Sequence, residues 1–319
     1  MTDPLPRVVV ADPIDMRALE PLRHAPCELI DATKGEAALS ESLPGAWALI
    51  VRSRTRVSAE MIGRAPKLSL IARAGVGVDN IDVTAATARR IRVVNAPAAA
   101  TASVAELSVA LYLMLARDLY PRIAKTKSGD WQRSGNGSEL SGKTVGFVGY
   151  GRIAREIAKR LAPFGTVTIA YDPYVKSSGD ATALVGLEDV LARSDFLSVH
   201  AAATEENQHL INGERLSRMK KGAYLVNVAR GSLVDEVALI RALDSGALAG
   251  AALDVFEVEP PTRKELLAHP KVIATPHLGA STHEAQARAG KDTVDEVLRA
   301  LRGEPLTALV NPLVPGGQP

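Results

Sequence analysis

Three ionisable side chains stand just after apolar runs of the sequence. Arg230 follows "AYLVNVA", Glu259 lies in "ALDVFEVEPP", and His277 lies in "ATPHLGAST". An imidazole exchanges a proton near neutral pH, a nearby carboxylate orients it and favours its protonated form, and a guanidinium grips a carboxylate through two bonds. Hydride transfer at a 2-hydroxy acid needs these groups, with His277 as proton shuttle, Glu259 as its partner and Arg230 as substrate clamp.

Each of these residues has a commoner explanation when it is taken alone. A strand-end arginine is usually in a surface ion pair, a loop glutamate is usually solvated, and a lone histidine is usually a hydrogen-bonded core residue. The catalytic interpretation gains weight because all three follow predicted strands, and the carboxyl ends of parallel strands meet at one edge of a sheet. The sequence therefore predicts that they share a ligand-binding edge.

A glycine-rich turn joins a strand to a helix in "TVGFVGYGRIAREIAKRL". Gly149 permits the tight turn, Gly151 lets the backbone approach a pyrophosphate, and Ala154 permits close packing of the helix on the strand. The amides of Arg152 and Ile153 begin the helix, where the helix dipole favours phosphate. The strand, turn and helix together predict a dinucleotide site.

Asp172 ends the next predicted strand, in "IAYDPY". A carboxylate at this position can accept hydrogen bonds from both ribose hydroxyls, whereas a 2′-phosphate would meet like charge. The predicted cofactor is therefore NAD rather than NADP.

The elements that position these residues follow from the hydrophobic pattern. Short apolar runs alternate with stretches of helical spacing, which is typical of βαβ units around a parallel sheet buried on both faces. The predicted strands are "RVVVA", "WALIVR", "LSLIAR" and "IRVVNA" in the first series, and "KTVGFVG", "TVTIAYD", "DFLSVH", "AYLVNVA", "LAGAALDV" and "KVIATP" in the second. Between the series, residues 101–119 predict an apolar helix that lies in a core, crosses between domains or packs on a second subunit. Residues 282–301 predict another helix.

Length and composition limit the class of protein. A chain of 319 residues exceeds the size at which one core stops growing, so two domains are expected. The 38 basic and 36 acidic residues are balanced, without long runs of one sign, so neither nucleic acid nor an anionic membrane is an expected partner. No apolar stretch is long enough to span a membrane, and nothing resembles a signal peptide. One cysteine, Cys27, rules out an internal disulfide and a cysteine-rich metal site, so we expect no metal and a cytoplasmic location.

The segments "VGYGRIA", "NVARGSLVDE", "ALDVFEVEPP" and "TPHLGAST" resemble the signature segments of the D-2-hydroxyacid dehydrogenases. The resemblance extends over nearly the whole chain. It implies that Arg230, Glu259 and His277 are the catalytic set and that Asp254 holds the nicotinamide carboxamide. It also implies that the nicotinamide lies against backbone at Val228, Ala229, Gly279 and Ala280.

The resemblance also implies the architecture. Its family has two Rossmann-like α/β domains with parallel sheets, and the cofactor domain is inserted into the substrate domain. Applied to this chain, residues 1–97 and 285–319 form the substrate-binding domain, and residues 98–284 form the NAD-binding domain.

Two positions depart from the family pattern. Ala201 and Val76 stand where close relatives often carry threonine. Side-chain contact with the cofactor is lost at Ala201, but contact through its backbone is retained, and neither change touches the predicted chemistry.

Substrate choice is expected to depend on the other domain. The amides around Gly75, Val76 and Gly77 can hold a carboxylate, as successive backbone N–H groups do in other anion sites. A phosphate group would need positive charge, which four arginines offer: Arg52, Arg54, Arg73 and Arg133. For each of them, the alternative interpretation is an ordinary surface charge.

Within the family, the segments most resemble members that oxidise 3-phosphoglycerate at the entry to serine biosynthesis. In those members a cation at the position of Arg133 reaches the neighbouring subunit, so a homodimer is expected, with a tetramer as the alternative. The other open functions are reduction of glyoxylate, hydroxypyruvate or another 2-oxo acid, and a non-enzymatic, NAD-sensing corepressor. Because the sequence stops near residue 319, we also expect no serine inhibition through a C-terminal regulatory domain.

Overall fold

The computed structural model describes residues 4–131, 133 and 135–311. The chain forms two compact units. Unit 1 consists of Met1–Ala100 and Ala280–Pro319, and unit 2 is the segment Thr101–Gly279. The chain changes units at residues 100 and 279, where the resemblance implied boundaries at 97 and 284.

Each unit contains one parallel sheet, as expected for the fold class. The order in unit 1 is β2-β1-β3-β4-β5, and the order in unit 2 is β12-β11-β10-β9-β6-β7-β8. The strands are β1 Arg7–Val10, β2 Glu28–Asp31, β3 Ala46–Val51, β4 Leu70–Arg73, β5 Arg92–Val94, β6 Thr144–Val148, β7 Val167–Tyr171, β8 Ala183–Leu184, β9 Phe196–Val199, β10 Ala223–Asn227, β11 Leu248–Leu253 and β12 Val272–Ala274. All ten predicted strands are confirmed, and the prediction missed β2 and β8.

The helices cover the faces of these sheets. They are α1 Met16–Arg23, α2 Glu36–Ser42, α3 Ala59–Gly63, α4 Val83–Ala88, α5 Thr101–Ala116, α6 Leu119–Lys127, α7 Arg152–Leu161, α8 Leu187–Arg193, α9 Gly213–Arg218, α10 Glu236–Asp244, α11 Lys264–Leu267 and α12 His283–Leu301. In unit 1, Val8 and Val10 of β1 pack in the cluster that contains α1 and α12, while Val9 packs on the opposite face. This burial on both faces explains why the strands are continuously apolar.

The apolar helix predicted over residues 101–119 is interrupted. It ends as α5 at Ala116, Asp118 takes a left-handed backbone (φ +49°), and α6 begins at Leu119. Within unit 2, α5 packs on α7, β10 and β11, as the core-helix interpretation requires.

Both sheets have a point at which the strand order reverses. In unit 2 the chain runs from β6 outward through β7 and β8, then returns to place β9 on the other side of β6. In unit 1 the corresponding reversal lies between β1 and β3. Ligands of open parallel sheets bind at such switch points, beyond the carboxyl ends of the strands.

No helix within the described ranges is long and apolar enough to cross a membrane. The same residues contain no group of three or more histidine, cysteine, aspartate or glutamate side chains that could hold a metal ion.

Candidate active site

The glycine-rich turn after β6 lies at the switch point of unit 2. Gly149 has a left-handed backbone (φ +91°), and a β-carbon there would lie 2.6 Å from the amide nitrogen of Ala201. Gly151 is the N-cap of α7, without a side-chain cap, and a β-carbon on it would meet nothing within 4 Å. The first amides of α7, at the exposed Arg152 and half-buried Ile153, therefore begin beside open space, and such amides at a helix N-terminus favour an anion.

The carboxylate of Asp172 borders this turn at the end of β7. One of its oxygens accepts a hydrogen bond from the amide of Tyr150 at 2.8 Å, inside the turn itself. The other accepts one from the amide of Tyr174 at 2.9 Å. Because a carboxylate offers about four acceptor positions, Asp172 keeps capacity for ribose hydroxyls.

His277 and Glu259 form a direct pair. Nδ1 of His277 lies 2.7 Å from Oε2 of Glu259, and the two side chains are 49% and 38% exposed. The other oxygen of Glu259 accepts a hydrogen bond from the amide of Phe256 at 3.2 Å. This contact with its own loop fixes the carboxylate and, through it, the imidazole.

Arg230 follows β10 in a loop that crosses the Glu259 loop. The buried Asn227 holds this loop, because its side chain donates to the carbonyl of Arg230 (2.8 Å) and accepts from the amide of Ala229 (3.1 Å). A β-carbon on the next residue, Gly231, would lie 1.8 Å from the carbonyl carbon of Phe256. Only glycine permits the two backbones to approach this closely, so Gly231 brings the Arg230 loop against the Glu259 loop.

Residues 109–279 match a family model described as "D-isomer specific 2-hydroxyacid dehydrogenase, NAD binding domain". The match covers more than half of the chain. The chain belongs to the D-isomer specific 2-hydroxyacid dehydrogenase family. This confirms the family that the sequence resembles and the predicted cofactor, NAD.

Individual relatives agree with this membership. The chain is 46% identical over 312 residues to a D-3-phosphoglycerate dehydrogenase of Mycobacterium tuberculosis. This alignment covers 96% of this chain and 59% of that protein. It is also 42% identical over 300 residues to a hydroxypyruvate reductase of Thermotoga maritima, in an alignment that covers 92% of this chain and 98% of that protein. The chain thus spans about three fifths of the phosphoglycerate dehydrogenase and nearly all of the reductase.

A solved structure supports both the fold and the cofactor. An NAD-dependent formate dehydrogenase of Staphylococcus aureus, crystallised with NAD, aligns with a TM-score of 0.86 at 31% identity. The alignment covers 97% of this chain and 99% of that one. Its fold confirms the predicted architecture of two parallel-sheet α/β domains.

In this member of the 2-hydroxyacid dehydrogenase family, Asp254 organises the His277 loop. Its buried carboxylate accepts hydrogen bonds from the hydroxyl of Thr275 (2.6 Å), the amide of Leu278 (2.7 Å) and the amide of Gly279 (2.8 Å). Its backbone carbonyl also accepts from the amide of His277 at 2.9 Å. These bonds hold His277 at its left-handed backbone angle (φ +53°) and occupy three of about four acceptor positions.

The remaining predicted cofactor residues are divided between the two units. Val228 is buried and Ala229 half-buried directly after β10, in the same loop as Arg230. Gly279 is the last residue of unit 2 and is buried, whereas Ala280 and Val76 belong to unit 1, exposed and half-buried respectively.

Three of the predicted phosphate-binding arginines belong to unit 1, and two of them, Arg52 and Arg54, follow β3 at its switch point. The amide of Arg52 donates to the buried carboxylate of Asp12 (2.7 Å), and its guanidinium donates to the carbonyl of Pro13 (3.3 Å). The guanidinium of Arg54 donates to the carbonyl of Thr33 (3.0 Å) and lies 3.6 Å from Asp12. Arg54 therefore already serves the structure of this unit, and Arg52 is the more available of the two.

The third arginine lies beside the predicted carboxylate-binding turn. A β-carbon on Gly75 would be 2.4 Å from the guanidinium of Arg73, so the side chain covers that face of the turn. Val76 and Gly77 are half-buried in the same turn. Arg133 belongs to unit 2, where it is exposed.

A polar chain under the glycine turn, from the buried Tyr112 and Ser198 to the half-buried His200, was not predicted. Tyr112 donates to the Ser198 hydroxyl (2.7 Å), which lies 2.8 Å from Nε2 of His200. The three side chains form one continuous hydrogen-bonded chain through the Ser198 hydroxyl. Burial lowers the pKa of His200 to about 3, which keeps the ring neutral.

The polar residues that support the site gave only weak signals in the sequence. Asn227 interrupts the apolar run "AYLVNVA", and Asp12 directly follows "RVVVA". A polar side chain at the end of a buried strand must find partners, and this rule could have identified both residues. Nothing in the sequence indicated which atoms those partners would be.

Proposed function

We propose that the chain is an NAD-dependent dehydrogenase that oxidises D-3-phosphoglycerate to 3-phosphohydroxypyruvate, the first step of serine biosynthesis. The observation that carries the proposal is the 2.7 Å hydrogen bond between His277 and Glu259, on a loop that crosses the Arg230 loop of the same unit. The relatives named D-3-phosphoglycerate dehydrogenase support the choice of substrate.

The proton chemistry follows from the atoms that are already engaged. Nδ1 of His277 faces Glu259, so Nε2 is the nitrogen that takes the proton from the substrate hydroxyl during oxidation. Glu259 holds the ring in that orientation and favours the imidazolium once it forms. Arg230 binds the carboxylate and polarises the 2-oxo oxygen, for which its planar fork is suited. In the reducing direction, His277 returns the proton to the developing alkoxide.

The cofactor site is assigned to the turn after β6. The amides of Arg152 and Ile153 would hold the pyrophosphate, Asp172 would accept the ribose hydroxyls, and the backbone at Ala201, Val228 and Ala229 would line the cofactor. When bound, NAD supplies the acceptor for the substrate hydride. Asp254 acts by holding the His277 loop and has one remaining acceptor position for the carboxamide.

The substrate's anionic groups are assigned to unit 1 and to Arg133. The amides of Val76 and Gly77 hold the carboxylate, because the amide of Gly75 already donates to the carbonyl of Arg73 at 2.8 Å. Arg52 is the leading phosphate ligand because its guanidinium makes a single 3.3 Å bond to Pro13. Arg54 and Arg73 are weaker candidates for binding the phosphate. The guanidinium of Arg54 is already bonded to backbone carbonyls, and that of Arg73 covers Gly75.

Hydroxypyruvate reduction is the second candidate function. The Thermotoga maritima relative with that name is matched over 98% of its length, whereas the Mycobacterium tuberculosis phosphoglycerate dehydrogenase is matched over 59%. The two functions differ in one substrate group, the phosphate, so this group is what the experiment must test.

A substrate panel with NAD and NADP decides between the two candidates. We expect kcat/KM for D-3-phosphoglycerate with NAD to exceed that for D-glycerate. Changing Arg52 or Arg133 to alanine should reduce this phosphate advantage about tenfold, because each removes a charge-assisted bond to phosphate. Formation of the reduced nicotinamide, followed by its absorbance, measures every rate.

Arg56→Ala is the matched control, since Arg56 is an exposed arginine two residues from Arg54 that is not assigned to the substrate. It should retain the phosphate advantage. A wild-type protein that turns over D-glycerate or hydroxypyruvate as well as the phosphorylated substrates would refute phosphoglycerate as the substrate and favour the reductase.

We also propose that unit 2 pairs with a second copy through α6. This helix buries none of its residues and exposes Tyr120 (57%) and Ile123 (52%), and Trp131, which follows the helix in the sequence, is 76% exposed. Exposed apolar side chains of this size on neighbouring positions favour a protein contact. Sedimentation velocity should show a wild-type dimer that Ile123→Asp converts to monomer, while Phe164→Asp, at an exposed site elsewhere in unit 2, leaves it intact. A monomeric wild-type protein would contradict this assignment.

A further inference from the structure

A reciprocal pair of glutamates joins the start of α10 to the loop that carries Glu259. The amide of Glu236 donates to Oε1 of Glu257 at 3.0 Å, and the amide of Glu257 donates to Oε1 of Glu236 at 2.9 Å. Arg263 donates to the other oxygen of Glu236 at 3.1 Å. Glu236, Glu257 and Arg263 are called the brace below. Their pattern is that of a capping box, but its two halves lie 21 residues apart.

The brace fixes one end of a short loop whose other contacts are already described. The loop begins at Asp254, whose amide donates to the carbonyl of Asn227, and its Phe256 backbone packs on Gly231. Glu257 is the next residue, and Glu259 follows two positions later. The carboxylate of Glu259 is bonded to the amide of Phe256, so its position depends on this backbone.

The carboxylate of Glu236 is nearly buried, although burying a charged group is unfavourable. Its side chain is 8% exposed, and burying a carboxylate is unfavourable unless hydrogen bonds and a cation compensate. The amide of Glu257 and the guanidinium of Arg263 supply that compensation. An apolar side chain could fill the same space, but it would leave the Glu257 amide without this acceptor. The acceptor, rather than the volume, is therefore what Glu236 contributes.

We propose that Glu236 is a positioning residue for the reaction, because through the amide of Glu257 it sets the Glu259 carboxylate against His277. The inference rests on the proposed function. It makes α10, which carries no catalytic residue, part of the machinery that orients the proton shuttle.

Four variants test the proposal. Glu236→Ala removes the acceptor, Glu236→Gln keeps a carbonyl oxygen for the Glu257 amide, and Glu259→Gln alters the carboxylate that the brace positions. Glu214→Gln, in an exposed ion pair of the same unit, is the control. The measurements are kcat, KM, the pH profile of kcat/KM, the dissociation constant for NAD and the melting temperature.

We expect Glu236→Ala to lower kcat about tenfold and to displace the pH profile in the direction that Glu259→Gln displaces it, because small misplacements of a catalytic group are costly. Glu236→Gln should restore most of the rate and the wild-type profile. NAD binding should stay within about twofold in both, since the glycine turn lies on other elements. Glu214→Gln should match the wild type throughout.

A Glu236→Ala protein that melts earlier but keeps the wild-type kcat and pH profile would overturn the proposal, as would equal losses in Glu236→Ala and Glu236→Gln. If Glu236→Ala does not fold, Glu236→Asp decides, because the shorter side chain keeps a charge for Arg263 but draws the acceptor away from the Glu257 amide, and it should displace the profile in the same direction. If Glu259→Gln itself leaves the rate and profile unchanged, the proposed proton relay fails, and the role of Glu236 fails with it.

Discussion

At the scale of single residues, the described site is ordered by carboxylates that bond to backbone amides. Asp254 bonds to the amides of Leu278 and Gly279, Glu259 to that of Phe256, and Asp172 to that of Tyr150. Such charge-assisted bonds are stronger than neutral ones, so they hold the loops that follow these strands. The ionised side chains therefore shape the site as well as providing its chemistry.

Asp172 should set both the affinity for NAD and the preference over NADP. Asp172→Ala should weaken NAD binding about tenfold or more, because bonds from ribose hydroxyls to a charged acceptor are lost. It should leave kcat at saturating NAD within about twofold of wild type, since the proton relay is untouched. Fluorescence titration with both nicotinamides measures the binding. Asp180→Asn is a matched control, because Asp180 accepts from the hydroxyl of Tyr150 in the same turn. An Asp172→Ala protein with an unchanged NAD preference would disprove the assignment.

At the scale of elements, the sequence was sufficient for every interior strand and for two of the four edge strands, β5 and β12. Ten buried strands were predicted because Val, Ile, Leu and Ala fill both of their faces. The two missed strands are β2, a half-polar "ELID", and β8, which has two residues; both are edge strands. An edge strand buries less of itself, so its sequence carries a weaker pattern.

Sequence reasoning predicted a shared sheet edge for His277, Glu259 and Arg230, but it did not predict how their loops are held. The crossing at Gly231 and the glutamate pair of the brace join residues more than twenty positions apart. Such contacts depend on how loops meet in three dimensions, and the spacing of residue types does not encode that. The residue types in the motifs indicate the chemistry of the site, whereas the hydrogen bonds that support the site follow from the fold.

His200, under the glycine turn, should make the stability of the protein depend on pH. In the unfolded chain His200 binds a proton near pH 6.5, whereas in the folded chain its pKa is lowered to about 3. Between these values the unfolded state binds more protons, so the free energy of unfolding should fall as the pH falls, by at most about 1.4 kcal/mol per pH unit.

Urea unfolding at several pH values between about 4 and 7 measures this slope. His200→Gln should remove the His200 part of it, while His24→Gln, at an exposed histidine of unit 1, should not change it. A His200→Gln protein that retains the wild-type slope would show that another group is responsible.

At the scale of the whole molecule, each unit has a parallel sheet whose strands are followed by candidate ligand-binding residues, but the residue types differ between the units. Unit 2 carries the dinucleotide turn and the set of Arg230, Glu259 and His277, whereas unit 1 carries three of the four arginines and the glycine turn assigned to the substrate. Each group follows the carboxyl ends of parallel strands, as expected for ligand sites of this fold class. Membership of the 2-hydroxyacid dehydrogenase family is consistent with this division, and the proposed function assigns a role to each unit.

The most direct measurement compares wild-type protein with His277→Asn, using D-3-phosphoglycerate or the best substrate of the panel under conditions in which chemistry limits the rate. A kinetic isotope effect from deuterium at C2 establishes those conditions. If His277 is the proton shuttle, the variant should lose about 10² to 10⁴ in kcat while its dissociation constant for NAD stays within about twofold of wild type. Wild-type turnover in His277→Asn would contradict the account.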